Sequence, residues 1–404
     1  MSLRALLFAP EVHPTFRPDV AVLFGKYLPR LGVQADMVTV TRSEAPAWGG
    51  GQVFGPTQSR GRLGKHLQSI ANDWRALLRL RRGYDLVIVR DKPIFASFAL
   101  IAARIARVPF GYWMSFPMPE SHFAFARERG LSIGVVRLAV AYARGFLCSW
   151  SLYRFVLPQA DIAFLQSDAM VADLQSRGIR MRRPVAVPMG VDHEAADASS
   201  SVSDARIEPW LAAMRARPAV VYLGTLERRR RMEIAVQAID LARRRRPDLL
   251  MVLIGDSFEP TDMVQLKALV DSLGLSEHVI FTGWLDTASA WRLVREARIG
   301  LSTVPRGPLH DVASPTKLVE YLAQGLPVVA NDQPDQAWVI EQSGGGLCTT
   351  HDAPALAEAI VRLVEAPEQA ASMGRTGREW VLRHRGYDSI AAHVARAMQS
   401  VRAA

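Results

Sequence analysis

Twice along the 404 residues, short apolar runs alternate with stretches of helical periodicity, and this alternation limits the fold more than any other feature. The first series has runs at 4–8, 35–40, 86–89, 110–113, 161–165 and 185–187, with a helical pattern at 19–31 that Gly32 stops. The second has runs at 219–223, 249–254, 279–281, 299–302 and 327–330, separated by helical patterns near 231–244, 262–273 and 286–296. Strands that alternate with helices are joined by crossovers, which implies parallel sheets with helices on both faces. One core rarely serves so long a chain, so two doubly wound α/β domains are expected. The first spans 1–190. Residues 191–204, rich in Ala, Ser and acidic side chains, read as a surface linker, and 205–385 form the second domain. A closing helix in 386–404 is expected to pack back toward the first domain.

Ligands of such sheets sit beyond the carboxyl ends of the strands. The most pointed sequence there is Ser314-Pro315-Thr316-Lys317-Leu318-Val319-Glu320-Tyr321-Leu322-Ala323-Gln324-Gly325. Ser314 suits an N-cap, Pro315 the first helical position and Gly325 the left-handed closing residue. The amides of Thr316, Lys317 and Leu318 then lack partners at the positive end of the helix dipole, which makes an anion site. Glu320 lies where a carboxylate would meet a hydroxyl-bearing group attached to that anion. Alternatively, Lys317 and Glu320 simply pair across one turn. Arg228 to Arg231 stand at a helix start and oppose its dipole, so either a bound anion or a solvated basic patch accounts for them; Arg243 to Arg246 suit a helix C-terminus and need no ligand. In the first domain the loop 11–17 is at the ligand edge, which makes His13 and Arg17 candidates by position. Residues 42–66, rich in Gly, Pro and Ser, read as a mobile loop.

The formal charge of +10 favours an anionic partner. Two cysteines, Cys148 and Cys348, exclude a disulfide scaffold or structural zinc, and with an N-terminal apolar run too short for a signal peptide they imply the reducing cytoplasm. Around 119–157 the pattern changes to a long apolar stretch that Arg137 and Arg144 interrupt, so no charge-free run reaches the roughly 18–20 residues that cross a bilayer. Arg137, Arg144 and Ser151 share a helical stripe, while Val136, Val140, Phe146, Leu147 and Trp150 cover much of the rest. This suits an interfacial amphipathic segment, with Trp150, Tyr142 and Tyr153 at the headgroups and Arg127, Arg129 and Arg154 on anionic lipid; a pair of buried core helices is the alternative. No GxGxxG follows the first strand, and neither GxxxxGK[ST] nor HExxH occurs, which disfavours a nicotinamide dehydrogenase, a P-loop kinase and a zinc protease. No nucleic-acid module is recognisable.

Together with Pro188-Met189-Gly190-Val191-Asp192, Tyr222-Leu223-Gly224-Thr225 and Phe281-Thr282-Gly283-Trp284, the Ser314–Val329 stretch resembles the retaining glycosyltransferases of family 4, strongly over 205–385 and more weakly before 160. The resemblance implies the GT-B fold, two Rossmann-like domains facing a cleft, with a nucleotide diphosphate sugar bound by the C-terminal one. Glu320 matches the second glutamate of the EX7E motif, which holds the ribose. Thr316, Lys317 and Leu318, preceded by Ser314, would hold the diphosphate together with Gly224 and Thr225. Arg230 would neutralise it, or Arg229 or Arg231 if the register slips. Gly283, Trp284 and Leu285 fall where the base is read. The acceptor is expected to be a lipid-linked or other membrane-associated glycan, reached from the inner face of the cytoplasmic membrane, with no metal or cofactor. The position of the first glutamate holds Val312, with Asp311 beside it as a candidate. His13-Pro14-Thr15-Phe16 replaces the family's paired glycines. Ser115 occupies the place of the family's N-terminal-domain histidine, and His122 is the nearest histidine. A non-catalytic glycosyltransferase-like subunit and a sugar-nucleotide epimerase are the alternative functions.

Overall fold

Strands of a parallel sheet are buried on both faces, so they read as nearly continuous apolar runs. The computed structural model describes residues 2–42, 45–57, 62–197 and 204–402 and shows two compact units, Met1–Met189 with Tyr387–Ala404, and Gly190–Gly386. In the first unit seven strands are ordered β3-β2-β1-β4-β5-β6-β7. They are β1 Leu3–Phe8, β2 Val33–Val38, β3 Val53–Phe54, β4 Leu86–Arg90, β5 Phe110–Met114, β6 Ile162–Leu165 and β7 Pro184–Ala186. The pairing is parallel throughout, with Ala5 opposite both Ala35 of β2 and Leu86 of β4. β3 lies inside the stretch read as a mobile loop, of which residues 43–44 and 58–61 are outside the described residues. Two residues are too few for a periodic signal.

The helix expected over 19–31 is broken. Pro18–Ala21 is α-helical, Leu23–Tyr27 is a π turn and Leu28–Arg30 is α-helical again. Pro29 has no N–H to continue the ladder, and the Tyr27 amide donates to the Val22 carbonyl at 3.1 Å. The final helix, Tyr387–Arg402, completes this unit: its Val394 and Met398 are fully buried, and the Arg402 Nε–Asp85 ion pair of 3.1 Å fixes its end.

In the second unit the order is β10-β9-β8-β11-β12-β13, with β8 Ala219–Leu223, β9 Leu250–Ile254, β10 Val279–Gly283, β11 Ile299–Ser302, β12 Val328–Asn331 and β13 Gly346–Thr349. β13 and the helix Pro334–Ser343 go beyond the five strands read from sequence, because β13 is a short edge strand behind glycines and only its first residue is buried. Of the stretch read as a linker, His193–Asp197 is helical and 198–203 lie outside the described residues. Strand order reverses between β8 and β11, the switch point at which such sheets bind ligands beyond the strand ends.

Between β5 and β6 the helices Met118–Arg129 and Val135–Ser149 are joined by a 3₁₀ turn, and a π turn Trp150–Val156 follows. The reading as buried core helices is corrected for Val135–Ser149, whereas the Trp150–Val156 turn is buried at Ser151, Leu152, Tyr153 and Val156, so Tyr153, which donates to Glu120, is not at a headgroup surface. In Val135–Ser149 only Gly145, which lies against Phe123, and Cys148 are buried, whereas Val136 is 76% exposed. Among the described residues no helix is long and apolar enough to cross a membrane.

Candidate active site

The helix after β11 runs from Thr316 to Ala323 and is closed by Gly325 at φ 75°. Its N-cap is Pro315, not Ser314 as the capping rules suggest, and no side chain caps it. Ser314 is buried, and its Oγ donates to Asp335 Oδ2 at 2.7 Å and accepts from Arg385 Nη1 at 3.4 Å. Arg385 closes the triangle on Asp335 Oδ1 at 2.6 Å. A charged pair is a stronger hydrogen-bonding partner than a neutral amide, so the hydroxyl is drawn away from the helix. The first-turn amides of Thr316, Lys317 and Leu318 are therefore left uncapped at the positive end of the dipole.

Buried amide side chains hold the loop that leads into this helix. Asn331 exchanges hydrogen bonds with the Val304 backbone at 2.7 and 2.9 Å, and Gln333 Nε2 donates to the carbonyls of His310 and Ala313, both at 2.8 Å. Nothing in the sequence marks these two, because a polar residue after a strand reads as ordinary loop. The same loop disposes of Asp311. Its carboxylate accepts from Arg306 Nε at 2.8 Å and from the Gly307 amide at 3.1 Å, and Val312 beside it is buried. A role for Asp311 at a sugar requires breaking that pair.

Lys317 and Glu320 both point into partly buried space. Burial, aided by repulsion from Arg230, lowers the Lys317 pKa to about 7, against the pull of Glu320. Burial raises the Glu320 pKa to about 7, against Lys317. The two are an unusually poised couple rather than the solvated surface pair weighed above. Lys317 Nζ lies 4.9 Å from the centre of the Tyr222 ring, and a Cβ on residue 224 would come within 3.2 Å of it. The φ of 149° favours glycine at position 224, and a Cβ there would also press on the Lys317 ammonium. Thr225 is fixed through its carbonyl, which accepts from Tyr222 Oη at 3.3 Å.

The four arginines after β8 differ sharply. Arg229 pairs with Glu227 at 3.0 Å and Arg231 with Glu233 at 3.2 Å, each well exposed. Arg230 is partly buried, and its Nε has no hydrogen-bond partner among the described residues. A cation held half out of water with its donor unused is what an anion site requires. Burial and the same arginine hold the imidazole of His310 below its ordinary pKa; sequence reasoning missed this histidine. Gly283 takes a left-handed φ of 67°, and the exposed Trp284 ring lies 5.3 Å from that of Phe258, an open aromatic pair next to Leu285.

In the first unit, His13 is not presented to a ligand edge. It is buried, its Nε2 donates to the Pro46 carbonyl at 2.8 Å, and its ring meets Trp48 edge-on at 5.9 Å. Arg17 and Ser115 do come together: Arg17 Nη2 donates to Ser115 Oγ at 3.3 Å, and the Ser115 hydroxyl and amide both donate to Asp91. Behind them the fully buried Arg90 reaches Glu11 Oε1 at 2.9 Å and Asp19 Oδ2 at 2.8 Å. Burial works against its charge, and the carboxylates of Asp19, Asp91 and Glu11 more than offset that and raise its pKa. Asp91 carries a left-handed φ of 49°, an uncommon conformation for a residue with a side chain. The Arg90-Asp91 cluster had one sequence signal, a charged pair ending an apolar strand. His122 lies in the Met118–Arg129 helix with Nε2 buried and unpartnered among the described residues, and burial with nearby Arg144 lowers its pKa.

Residues 211–380 match the family model of the glycosyl transferases group 1, and residues 20–190 match that of the glycosyl transferase 4-like domain. A GDP-mannose-dependent alpha-(1-6)-phosphatidylinositol monomannoside mannosyltransferase of Mycolicibacterium smegmatis is 30% identical over 270 residues, covering 61% of this chain and 66% of that one. An enzyme of the same name from Mycobacterium tuberculosis is 28% identical over 184 residues, 44% of this chain and 46% of its own. The chain thus spans less than two thirds of the length of these relatives. Among solved structures, Anabaena HepE in complex with UDP-glucose superposes with a TM-score of 0.70 at 17% identity, over 98% of this chain and all of that one. WaaG, a glycosyltransferase of lipopolysaccharide biosynthesis, gives 0.69 at 15% identity, over 98% and 99%. At such identities the likeness shows the fold, which is GT-B.

Proposed function

The chain belongs to the glycosyl transferases group 1, and from that premise we propose that it is a retaining glycosyltransferase moving a hexose from a nucleoside diphosphate sugar to a lipid-linked acceptor at an anionic membrane face. The observation that carries this reading is the cationic cradle at the β8–β11 switch point. There the uncapped amides of Thr316, Lys317 and Leu318, the poised Lys317 and Arg230, which is near enough to lower the Lys317 pKa and whose Nε has no hydrogen-bond partner among the described residues, gather positive charge, with Glu320 one turn further along the helix. As the bond from the anomeric carbon to the phosphate oxygen breaks, its electron pair goes to the diphosphate. Arg230, Lys317 and the helix end stabilise the charge that develops. The acceptor hydroxyl forms the new bond on the same face and gives up its proton to the departing phosphate oxygen. Glu320 takes the ribose hydroxyls, Trp284 and Phe258 offer the base an aromatic platform, and the chain's own cations make a metal unnecessary. The named relatives use GDP-mannose and a solved neighbour holds UDP-glucose, which supports a hexose donor.

Donor binding is coupled to pH through Lys317. A diphosphate beside Nζ favours the ammonium, so the Lys317 pKa rises on binding from about 7 and a proton is taken up. Affinity for the nucleoside diphosphate is expected to fall up to tenfold per pH unit from about pH 7 to 8.5. Titrations in buffers of different ionisation enthalpy read the proton uptake directly; a pH-independent affinity with no proton uptake contradicts this coupling.

Support for the lipid-linked acceptor comes from the relatives' phosphatidylinositol substrates and from the Val135–Trp150 surface, where exposed Val136, Val140, Phe146 and Trp150 adjoin exposed Arg137, Arg144 and Arg154. Peripheral attachment to the inner face of the cytoplasmic membrane, in service of cell-surface glycan synthesis, fits that surface. The test is incubation of the protein with labelled GDP-mannose or UDP-glucose and vesicles containing phosphatidylinositol glycolipids. A labelled lipid of retained anomeric configuration is expected. Nucleotide binding with no transfer or donor hydrolysis across donors and acceptors points instead to the non-catalytic subunit, and product formed without acceptor points to an epimerase.

A further inference from the structure

At the opposite end of the first sheet from its ligand edge, where β5, β6 and β7 begin, lies a cavity of about 510 Å³ lined by Arg104, Arg107, Asp161, Arg182 and Arg183. The one carboxylate, Asp161, pairs with only two of the four guanidinium groups. Asp161 takes Arg104 at 2.9 and 3.0 Å and Arg182 at 3.2 Å, and it also accepts from the Phe110 amide at 2.9 Å. Among the described residues the Arg183 side chain meets only the Ser400 hydroxyl, at 2.6 Å. The Arg107 side chain has no hydrogen bond or ion pair among the described residues, and its backbone sits in the left-handed region at φ 55°. The C-terminus of the Pro93–Ala106 helix contributes roughly half a negative charge, which still leaves an excess of about two to three positive charges around the cavity.

A second arginine-lined cavity provides an internal comparison. In the other unit, about 430 Å³ is lined by Arg215, Arg217, Arg246, Arg295 and Arg298 among others. The first four are satisfied by Glu296, by the carbonyls of Asp248, Leu249 and Glu277, by Asp248 and by Gln324, while the exposed Arg298 side chain has no hydrogen bond or ion pair among the described residues. That cluster leaves one guanidinium group over, whereas the first leaves two without a carboxylate, those of Arg107 and Arg183.

We propose that the Arg104–Arg107–Arg182–Arg183 cavity is a binding site for a phosphomonoester group. Planar guanidinium forks match the oxygens of a phosphate dianion, and two of the four carry no competing carboxylate. The site is separate from the donor cradle, lies within one unit and does not depend on the transfer reaction. Two sources supply the same chemistry. A free phosphate is one. The other is the headgroup of an anionic phospholipid, which nearby apolar side chains favour: Ile105, 76% exposed, immediately follows Arg104 of the cavity wall, and Ile101 continues the same helix face.

The test uses the whole protein and the double variant R107Q/R183Q, which leaves the Arg104–Asp161 pair intact. One arm titrates inorganic phosphate, and the other measures flotation with phosphatidylcholine vesicles containing phosphatidic acid or, at matched charge, phosphatidylglycerol. Wild type is expected to bind one phosphomonoester source about tenfold more tightly than the variant. A difference with inorganic phosphate assigns a soluble ligand, and one confined to phosphatidic acid vesicles assigns a lipid. The proposal is overturned if wild type binds neither, or if the variant equals wild type in both arms. A nucleoside diphosphate titration of the same variant separates this failure from failure of the donor site in the other unit.

Discussion

Arg230→Ala is expected to lower kcat for sugar transfer about 10³-fold while leaving the thermal midpoint of the protein nearly unchanged. The side chain makes no hydrogen bond through its buried Nε among the described residues, so removing it breaks no internal pair and relieves repulsion on Lys317. Its value lies in the transition state, when charge collects on the diphosphate. Loss of one such preorganised cation or donor costs about 10²–10³-fold, and up to 10⁵-fold where an arginine is the main counter-charge to a phosphate. Arg229→Ala is the matched control, because Arg229 is exposed and already tied to Glu227. It is expected to change turnover by less than about threefold. Steady-state rates for both variants decide the matter: wild-type turnover in Arg230→Ala, or equal losses in the two, contradicts the assignment of the diphosphate counter-charge to Arg230.

Asp335→Ala is expected to destabilise the second unit by about 3–5 kcal/mol, the cost of leaving a buried partner charge unpaired. Arg385 is buried and loses its 2.6 Å contact, while Ser314 loses its acceptor at 2.7 Å. The damage reaches the donor site because Ser314 immediately precedes the Pro315 cap of the Thr316–Ala323 helix. Urea unfolding followed by the fluorescence of Trp338, which stacks under Arg385 at 5.2 Å, reads the loss. A change below about 1 kcal/mol places the pair among those that contribute nothing measurable.

The strands that the sequence reveals best are those buried on both faces, such as Leu250–Ile254, where every residue is apolar and all are buried. Val53–Phe54 and Gly346–Thr349 escape because they are short or lie at an edge, where burial is incomplete and the apolar signal fails. The donor helix was legible as a helix, and Gly325 as its stop, from local propensity alone. Its cap was not, since Ser314 is claimed by Asp335 twenty-one residues further on, a tertiary competitor that no local rule sees. The choice of Arg230 among neighbouring arginines was open for the same reason: only the positions of Glu227 and Glu233 show which guanidinium groups are already engaged. Asn331 and Gln333, which shape the loop before the helix, resemble any polar turn in sequence. The buried Arg90 in the first unit shows the reverse case, a charge in an apolar strand whose partners Glu11 and Asp19 come from a distant loop and a broken helix.

The central claim is that the second unit holds a nucleoside diphosphate on the Thr316 helix end, and thermal unfolding with GDP, UDP, ADP and dTDP tests it most directly. One of these at a hundredfold excess over its dissociation constant is expected to stabilise the wild-type protein by about 2.7 kcal/mol. That gain should raise the midpoint of a unit of this size by several degrees and should be largely lost in Arg230→Ala and Glu320→Ala. No shift with any of the four, or a shift in both variants as large as that of wild type, would contradict the account.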